Sequence, residues 1–595
     1  MRSYQNPFRA RASEQQRDLF TFLRNFGDGV LDLLPDSPWD RPLVIRSAPG
    51  GGKTSLMRLF TFESLSLVHA RKDSLESLHE RLAEVGAVDG EGPRFLGVML
   101  SLDRDYRALL DIGAPGDAAN KVFFRLLDAR IFVAVIKAAL DAAGKNFPSD
   151  AEQLEFGLRD ASPVLQEAQR TVGGKDGSAV LRFATETEAE ILDLLDSLLP
   201  VSWGEGARGH NHLYSLTLLG ACDILVGGRE IPLRPLVLFD DGHELGAEQR
   251  SGLLDELTDR QLSIARWYSE RFEALSAQEI VEAGDISGRD YEVLELESAA
   301  RGLSGRGQRR LNFDKVLRKV GDLRAERALE RYSDEDRAFS ELLETDRETL
   351  LGSHEDELMN GLRDRVEGLA AGDVRYEEWI RDARSGEGYP GALRWRELEI
   401  LITRDRGRPM RELFEWQLTE EEAERMSGSN VREAAGLFLA HDAKLPYYFG
   451  PDIIVKLGSH NIEQFLSLCG DLFQQMLAQL TLNRDARVAP RRQHAIIKQA
   501  SDNLWRSIPA RIPHGQDVQK LLLAITNMAR QETYRPNAPY APGVTGTAIS
   551  MVERDQLLRA EFREKLPDCD RLFKALAAAI AYNLVSAELN RSVKN

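Results

Sequence analysis

Two short stretches of the sequence contain residues whose types and spacing suit the binding of phosphate groups. In the first, RSAPGGGKTSL, a run of three glycines precedes Lys53 and Thr54. Glycines let backbone N–H groups approach an anion at the head of a helix, a lysine ammonium reaches the terminal phosphates, and a threonine hydroxyl ligates Mg²⁺. The stretch therefore predicts a phosphate-binding loop. Its predicted contact residues are Pro49, Gly50, Gly51, Gly52, Lys53, Thr54 and Ser55.

The loop departs from the usual G-x-x-x-x-G-K-[ST] pattern at one position, where Ser47 replaces the first glycine. A small residue can form this turn if its φ angle is negative, so the chemistry is retained. The flanking sequence favours the prediction, because PLVIRS predicts a strand before the loop and SLMRLFTFESL predicts a helix after it. The alternative is a glycine-rich turn that merely happens to precede Lys-Thr.

The second stretch, LVLFDDGHEL (236–245), consists of four apolar residues followed by acids. An acid at the end of a buried strand completes a nucleotide site, so Asp240 is predicted to hold Mg²⁺ through water, with Thr54 as the direct ligand. Asp241 or Glu244 is predicted to polarise the attacking water. The structural alternatives are a helix N-cap for the acids and a capping or packing role for His243. Together the two stretches predict a nucleoside triphosphate and Mg²⁺ as cofactors and nucleoside-triphosphate hydrolysis as the activity. We assign ATP as the nucleotide, with GTP as the alternative, because the loop contacts phosphates that both share.

The pattern of apolar residues in the first 300 positions predicts the strands and helices that must position these residues. Short apolar runs bounded by Gly, Pro or charge are typical of strands in a covered, mostly parallel sheet. The predicted strands are 42–47, 94–102, 234–241 and 291–297. Helical patterns lie between them, and residues 145–210 predict a partly helical insertion. We therefore expect a P-loop core over residues 1–305.

The character of the sequence changes after residue 305. Residues 306–390 are charged and poor in strand-forming residues, which predicts a helical lid and a charged helical segment. Residues 391–595 continue with helical patterns and predict a C-terminal domain that binds a partner or nucleic acid. The expected fold class is α/β, with a P-loop NTPase core built on a parallel sheet and a mostly α-helical C-terminal half.

Composition limits the class of protein. The 595 residues carry a formal net charge of −18, so the overall charge gives no case for nucleic-acid binding, although local basic patches could still provide contacts. The three cysteines, Cys222, Cys469 and Cys569, lack disulfide or metal-site spacing. No stretch reaches the roughly 18 apolar residues of a membrane span, and the first residues lack the apolar run of a signal peptide. These features predict a cytoplasmic protein with no membrane partner.

With both stretches placed, the chain resembles AAA+ ATPases of the origin-recognition initiator type and their relatives, the signalling NTPases known as STAND proteins. Asn6, Pro7 and Phe8, followed by a helix, resemble the N-terminal box that lines the adenine in this family. The hydrophobic-DD-x-h-E-L form of the acidic strand is similar to the family's version. GDLRAERAL (321–329) is similar, with one extra residue, to a lid signature whose arginine senses the γ-phosphate. The resemblance implies this role for Arg324, with an exposed helix arginine as the alternative.

The resemblance, which covers about residues 5–330, implies two further residues of an ATPase site. The family's polar sensor lies at the tip of the strand after the acidic one, where Ser269 or Arg266 fits. The arginine that completes a neighbouring subunit's site lies just before the last strand, at Arg289, and implies a homo-oligomer. The alternative for Arg289 is an ion pair with a surface acid such as Asp290.

The C-terminal half carries two arginine-rich clusters, at 394–411 and 484–492, with aromatic residues nearby. They suit contacts with double-stranded DNA, although such charge runs are usually solvated faces. The hypothesis favoured by the sequence is an ATP-driven switch that acts on a partner protein carrying an effector activity, in bacterial anti-phage defence by family analogy. The alternatives are an initiator- or loader-like DNA-binding ATPase and a nucleotide-stabilised scaffold with little turnover.

Overall fold

The computed structural model describes the chain as two compact units. The residues described are 6–9, 18–112, 117–160, 162–197, 208–282, 290–301, 313–329, 338–352, 355–407, 429–482 and 484–588. The sheet unit consists of the described residues within Pro7–Arg324, Gly458–Leu466 and Ile580–Asn595. The helical unit consists of those within Met1–Asn6, Ala325–Leu457 and Ser467–Ala579.

Eight strands lie in the sheet unit. They are β1 (Leu43–Ser47), β2 (Phe95–Ser101), β3 (Leu154–Leu158), β4 (Cys222–Val226), β5 (Arg229–Glu230), β6 (Arg234–Asp240), β7 (Ala265–Arg271) and β8 (Glu292–Glu295). Five of them form a parallel sheet in the order β2-β6-β7-β1-β8. Because the strands are parallel, their carboxyl ends meet at one edge of the sheet, which brings together Ser47, Asp240 and Arg271.

The helices in the described part of the sheet unit are α1 (Leu19–Arg24), α2 (Lys53–Leu59), α3 (Phe62–Ala70), α4 (Glu76–Glu84), α5 (Arg104–Ala108), α6 (Ala118–Ala142), α7 (Pro163–Thr171), α8 (Gly177–Leu195), α9 (Tyr214–Ala221), α10 (Ala247–Leu257), α11 (Ala277–Glu282), α12 (Leu296–Ala300) and α13 (Phe313–Leu329). Four of them, α2, α3, α6 and α12, pack against strands of the parallel sheet, whose central strands are buried. Short 3-10 helices lie at Asp28–Leu33, Ala151–Gln153, Gly242–Glu244 and Phe272–Ala274. The densely apolar α6 packs against β2 and α8, which explains its buried side chains on several faces.

One predicted strand is shorter in the structure. The run at 291–297 forms β8 only as far as Glu295 and continues as α12 from Leu296. β8 pairs with β1 alone, and the last pair joins Glu295 to Arg46. Since β1 ends at Ser47 and the chain then leaves the sheet, β8 has no partner beyond this point.

The predicted insertion at 145–210 contains a strand that the sequence does not reveal. β3 lies in it and pairs with β4, which pairs with β5, to form a separate antiparallel sheet. The rest of the insertion includes α7 and α8, as expected for a partly helical segment. β3 is only five residues long and contains a glycine, and β4 follows α9 without a turn residue between them. Neither strand therefore shows the usual boundary signals.

Gly97→Ala tests how closely the backbone after α2 approaches β2. A methyl group at Gly97 would overlap the carbonyl oxygen of Phe60 and lie 3.0 Å from its carbonyl carbon. Since backbone cannot rotate away, we expect the substitution to lower the free energy of unfolding by about 1–3 kcal/mol, as measured by thermal unfolding. Gly252→Ala in α10 is the matched control, because its methyl group would meet only the Phe124 ring at 3.5 Å. Equal unfolding midpoints for the two variants would contradict this close approach.

The helical unit is built from helices alone among the residues that the structure describes, apart from an isolated bridge between Leu343 and Val488. They are α14 (Glu355–Ala370), α15 (Glu377–Ala383), α16 (Gly388–Arg406), α17 (Ser429–Asp442), α18 (Pro451–Leu457), α19 (Ile462–Thr481), α20 (Pro490–Arg511), α21 (Gly515–Thr533), α22 (Met551–Leu558), α23 (Ala560–Lys565) and α24 (Pro567–Ala581). Short 3-10 helices occur at Phe339–Leu342, Glu348–Leu350 and Val374–Tyr376. Buried aromatic residues such as Trp395 and Phe438 form part of its core.

The units differ from the predicted domains in their boundaries. The chain passes from the sheet unit to the helical unit at Arg324–Ala325, within α13, and not at 305/306. The predicted boundary at 390/391 falls inside α16. Residues 458–466 and 580–588 lie far along the sequence but belong to the sheet unit. A search of the described residues for a membrane-spanning helix finds none with the necessary length and apolar character.

Candidate functional site

A glycine-rich loop, residues 48–52, connects β1 to α2 at the carboxyl edge of the parallel sheet. Gly50 and Gly52 have φ angles of +77° and +97°, which side chains other than glycine rarely adopt. The N–H of Gly51 donates to the Ala48 carbonyl at 3.2 Å and closes a turn. The strand, loop and helix therefore follow one another as the sequence predicts, and the glycines are required by the backbone itself.

Lys53 is the first residue of α2 and is almost completely buried. Its ammonium group donates a hydrogen bond to the Ser47 hydroxyl at 2.6 Å, and that hydroxyl donates to the Ala48 carbonyl at 2.8 Å. Burial lowers the pKa of Lys53, while the negative charges of Glu297 and Asp240 raise it again. The one departure from the usual loop pattern, Ser47, thus provides the contact that holds the lysine side chain.

Asp240 ends the acidic strand β6, and one strand, β7, separates β6 from β1. One oxygen of the buried Asp240 carboxylate accepts a hydrogen bond from the Ser269 hydroxyl on β7. The other oxygen, Oδ2, is buried and has no hydrogen-bond partner among the residues that the structure describes. A buried carboxylate oxygen without a donor is costly, so this atom suits a cation or a bound water.

Ser269 and Arg266, the two alternatives for a polar sensor, lie in different surroundings. Ser269 contacts Asp240 and also accepts from the N–H of Asp241 at 3.4 Å. Arg266 lies near the start of β7 and donates to backbone carbonyls, including that of Leu257. Burial lowers the pKa of Arg266 to about 10. The structure therefore brings Ser269 to the site and gives Arg266 contacts with backbone carbonyls at the opposite end of the strand.

Asp241 and Glu244, the two alternatives for the water-polarising acid, follow Asp240 directly. Asp241 has a left-handed backbone with φ +61°, and burial together with the Asp240 charge raises its pKa. Glu244 lies 3.8 Å from the Arg104 guanidinium, with its side chain 34% exposed. The buried His243 between them has its pKa lowered to about 4 by burial and by the Arg271 charge, so it is neutral near pH 7. The charge of Asp241 also raises the pKa of Lys53, which burial lowers.

Arg271 is a residue of this edge that the sequence prediction missed. It ends β7, pairs in register with Ser47 of β1, and its positive charge lowers the pKa of Lys53. Its guanidinium donates to Glu273 at 3.0 Å. A signal for it exists in the sequence, because residues two apart on a strand share a face and Arg271 is two residues after Ser269. The arginine adds positive charge where phosphates are expected.

Glu297 and Asn461 were also missed, and both contact the glycine-rich loop. Glu297 Oε1 accepts hydrogen bonds from the Ala48 N–H at 3.1 Å and from the Asn461 side chain at 3.2 Å. The same Asn461 amide donates to the Pro49 carbonyl at 3.0 Å. Glu297 Oε2 is buried and has no hydrogen-bond partner. No local pattern links these residues to the loop, because Asn461 is more than 400 positions away from it in sequence.

The residues assigned by resemblance fall into three groups. Arg324, on α13, donates to the Pro7 carbonyl at 3.1 Å, next to the buried Phe8, so the structure brings together the lid signature and the N-terminal box. Asn6 belongs to the helical unit, where its amide donates to the Gly470 carbonyl at 2.7 Å. Arg289 lies outside the described residues.

The predicted Mg²⁺ site requires only a few ligands from the protein. The described part of the chain contains no group of three or more His, Cys, Asp or Glu residues that could hold a metal ion. Mg²⁺ in nucleotide sites needs only one or two protein ligands in addition to phosphates and water. Asp240, with its unpartnered Oδ2, and the Thr54 hydroxyl in the first turn of α2 fit this requirement.

A comparison with protein families relates the chain to one of them. A family model described as ORC-CDC6-like matches residues 260–555, slightly less than half of the chain. The match supports a relation to AAA+ proteins of the ORC/CDC6 type. It begins after the glycine-rich loop and Asp240 and includes Ser269, Arg271 and Glu297. No curated protein and no solved structure matches the chain significantly.

Proposed function

We propose that the chain is an AAA+ ATPase of the ORC/CDC6 type that binds and hydrolyses ATP with Mg²⁺. One observation carries the proposal: the buried ammonium of Lys53 and the buried, half-satisfied carboxylate of Asp240 lie at the same sheet edge, beside a glycine-rich loop. A buried cation, a buried acid with an unpartnered oxygen and a glycine-rich loop at the start of a helix are the parts that a nucleoside triphosphate with Mg²⁺ requires.

Each residue of the edge has a role in this proposal. Lys53 binds the β- and γ-phosphates, and Thr54 and Asp240 hold Mg²⁺, which neutralises charge on the phosphates when bound. Ser269 orients the Asp240 carboxylate through its hydrogen bond. Asp241 accepts a proton from the attacking water, and its raised pKa favours this role near neutral pH.

The biological role we propose is a switch. The resemblance to STAND proteins favours an ATPase whose nucleotide state controls a partner protein with an effector activity, as in bacterial anti-phage defence. The helical unit is the proposed partner-binding region. Exposed apolar side chains occur along its helices and support this part of the proposal, among them Leu504, Leu523 and Val552.

The second candidate is an initiator- or loader-like ATPase that binds double-stranded DNA, which the ORC-CDC6-like match favours. The arginine cluster on α16 gives it little support. Arg394 and Arg396 form ion pairs with acids of the same helix, Glu397 and Glu399. In the other cluster, the Arg491 guanidinium donates to a backbone carbonyl. Guanidinium groups engaged in this way are less available to phosphates.

A third candidate is a scaffold that binds ATP tightly and hydrolyses it slowly. The experiment that separates the three measures ATP hydrolysis by the purified chain, alone and with double-stranded DNA, at two salt concentrations. We expect slow turnover that DNA does not change. Stimulation by DNA that falls steeply with salt would instead favour the DNA-binding ATPase. Binding of ATP without turnover would favour the scaffold, and failure to bind ATP would refute the proposed function.

A further inference from the structure

Glu297 is a buried acid to which the proposed ATPase chemistry assigns no role. Its side chain lies in the first turn of α12 and only 3% of the residue is exposed. Burying a carboxylate costs free energy unless charge and hydrogen bonds compensate for it. In this protein the compensation comes from the glycine-rich loop, through the Ala48 N–H, and from Asn461. The acid is therefore part of the loop's surroundings.

Lys53 supplies the positive charge that faces this acid. Burial raises the pKa of Glu297, while the charges of Lys53 and Arg301 lower it. Burial lowers the pKa of Lys53, and the positive charge of Arg271 lowers it further. The negative charges of three acids raise it: Glu297, Asp240 and Asp241. The Lys53 ammonium donates its hydrogen bond to Ser47, so Glu297 acts on it through charge. Any phosphate that binds Lys53 enters the field of Glu297.

The acid also lies directly against the loop backbone. A methyl group on Gly51 would come within 2.9 Å of Glu297 Oε1. Asn461 connects the acid to the Pro49 carbonyl, and the next residue but one, Glu463, donates its N–H to the Gly50 carbonyl at 3.1 Å. The carboxylate thus accepts a loop N–H and faces the loop lysine. These are the two kinds of contact that phosphate groups make in such loops.

We infer that Glu297 is a positioning residue that sets nucleotide affinity, because its carboxylate holds the glycine-rich loop and Lys53 without nucleotide and competes with phosphate groups for the lysine charge. Asn461 fixes the carboxylate in this position. The inference rests on the proposed function, since it concerns the same site. Its consequence is specific: removing the negative charge while keeping the hydrogen bonds should strengthen nucleotide binding.

Glu297→Gln makes this change. The amide oxygen can still accept from Ala48 and Asn461, but the charge is gone. We expect the variant to bind ATP·Mg²⁺ about 3-fold more tightly than the wild type at about pH 7.5, as measured by isothermal titration calorimetry. This pH lies between the pKa of Glu297, which burial raises to about 7, and the pKa of Lys53, which burial lowers to about 8, so both groups are mostly charged. As the pH falls through the pKa of Glu297, the wild-type carboxylate becomes neutral and the two Kd values should converge. Protonation of ATP itself changes both Kd values by the same factor, because both proteins bind the same ligand. The ratio of the two Kd values therefore does not depend on it.

Two further variants keep the test decisive. Glu295→Gln is the matched control: its carboxylate accepts from Ser298 at 3.0 Å in the same part of the chain, so the wild-type Kd should be retained within about 2-fold. Asn461→Ala removes a hydrogen bond that lowers the pKa of Glu297. In that variant the pH midpoint of ATP binding should move upward, which gives a result even if Glu297→Gln fails to fold.

The outcomes separate this inference from the proposed function. Equal Kd values for the wild type and Glu297→Gln across the pH range would overturn the inference and leave the ATPase proposal intact. Weaker binding by Glu297→Gln with an unchanged pH dependence would also overturn it, because this is the behaviour of a purely structural residue. A wild type that binds no ATP at any pH would overturn both.

Discussion

Lys53→Ala is expected to lower the affinity for ATP by at least 10- to 100-fold, to the point where hydrolysis is no longer detectable. The ammonium is a buried positive charge on the residue that directly follows the glycine-rich loop, and it donates a hydrogen bond to the Ser47 hydroxyl. Alanine removes the charge but leaves the loop glycines and the start of α2 unchanged. Equilibrium binding of ATP, measured by calorimetry, gives the size of the effect.

The control for this variant is Lys175→Ala. Lys175 forms an exposed ion pair with Glu155 at 2.7 Å, so its loss removes one positive charge from the same unit without changing the loop. Its affinity for ATP should equal that of the wild type. Normal ATP turnover by Lys53→Ala would show that the nucleotide site lies elsewhere.

Asp241→Asn is expected to retain ATP binding and to reduce the rate of hydrolysis by about 10²- to 10⁴-fold, the usual contribution of a general base. Asparagine tolerates the left-handed backbone that Asp241 adopts, so the loop after β6 should keep its conformation. The raised pKa of Asp241 has a further consequence for the wild type. Turnover should fall as the pH drops through that pKa, because a protonated acid cannot accept a proton from water.

Glu244→Gln distinguishes the two acids proposed for this step. Glu244 is partly exposed and lies 3.8 Å from the Arg104 guanidinium, whereas the charge of Asp241 acts on Lys53. We expect this variant to hydrolyse ATP within a few-fold of the wild-type rate, measured by phosphate release at saturating ATP. A large loss in Glu244→Gln together with normal turnover in Asp241→Asn would reverse the assignment.

Local sequence patterns were sufficient to predict much of the sheet edge. β1, β2 and β6 are continuous apolar runs that end at a polar residue, which is typical of strands covered on both faces. The glycines and Lys53 lie between a strand and a helix, as the phosphate-loop pattern requires. Each of these features is encoded within about ten residues, so neighbouring residues alone reveal it.

The residues that sequence analysis missed depend on contacts between distant segments. Glu297 looks like one of several acids in YEVLELE, and its role appears only when α12 lies beside Ala48. Asn461 is the N-cap of a helix by its local sequence, since its side chain accepts from the Gln464 N–H, yet its amide also binds the loop. The boundary at 324/325 was missed for the same reason, because α13 continues through it without a break in its helical pattern.

Residues 458–466, which include Asn461, are synthesised long after the glycine-rich loop that Asn461 contacts. At about 5–20 residues per second, a ribosome adds Asn461 roughly 20–80 s after it has added Pro49. Glu297 joins the growing chain before the end of that interval, but the amide that joins Glu297 to the Pro49 carbonyl does not yet exist. The loop therefore acquires its complete set of hydrogen bonds only late in translation, when residues 467–579 of the helical unit have still to follow.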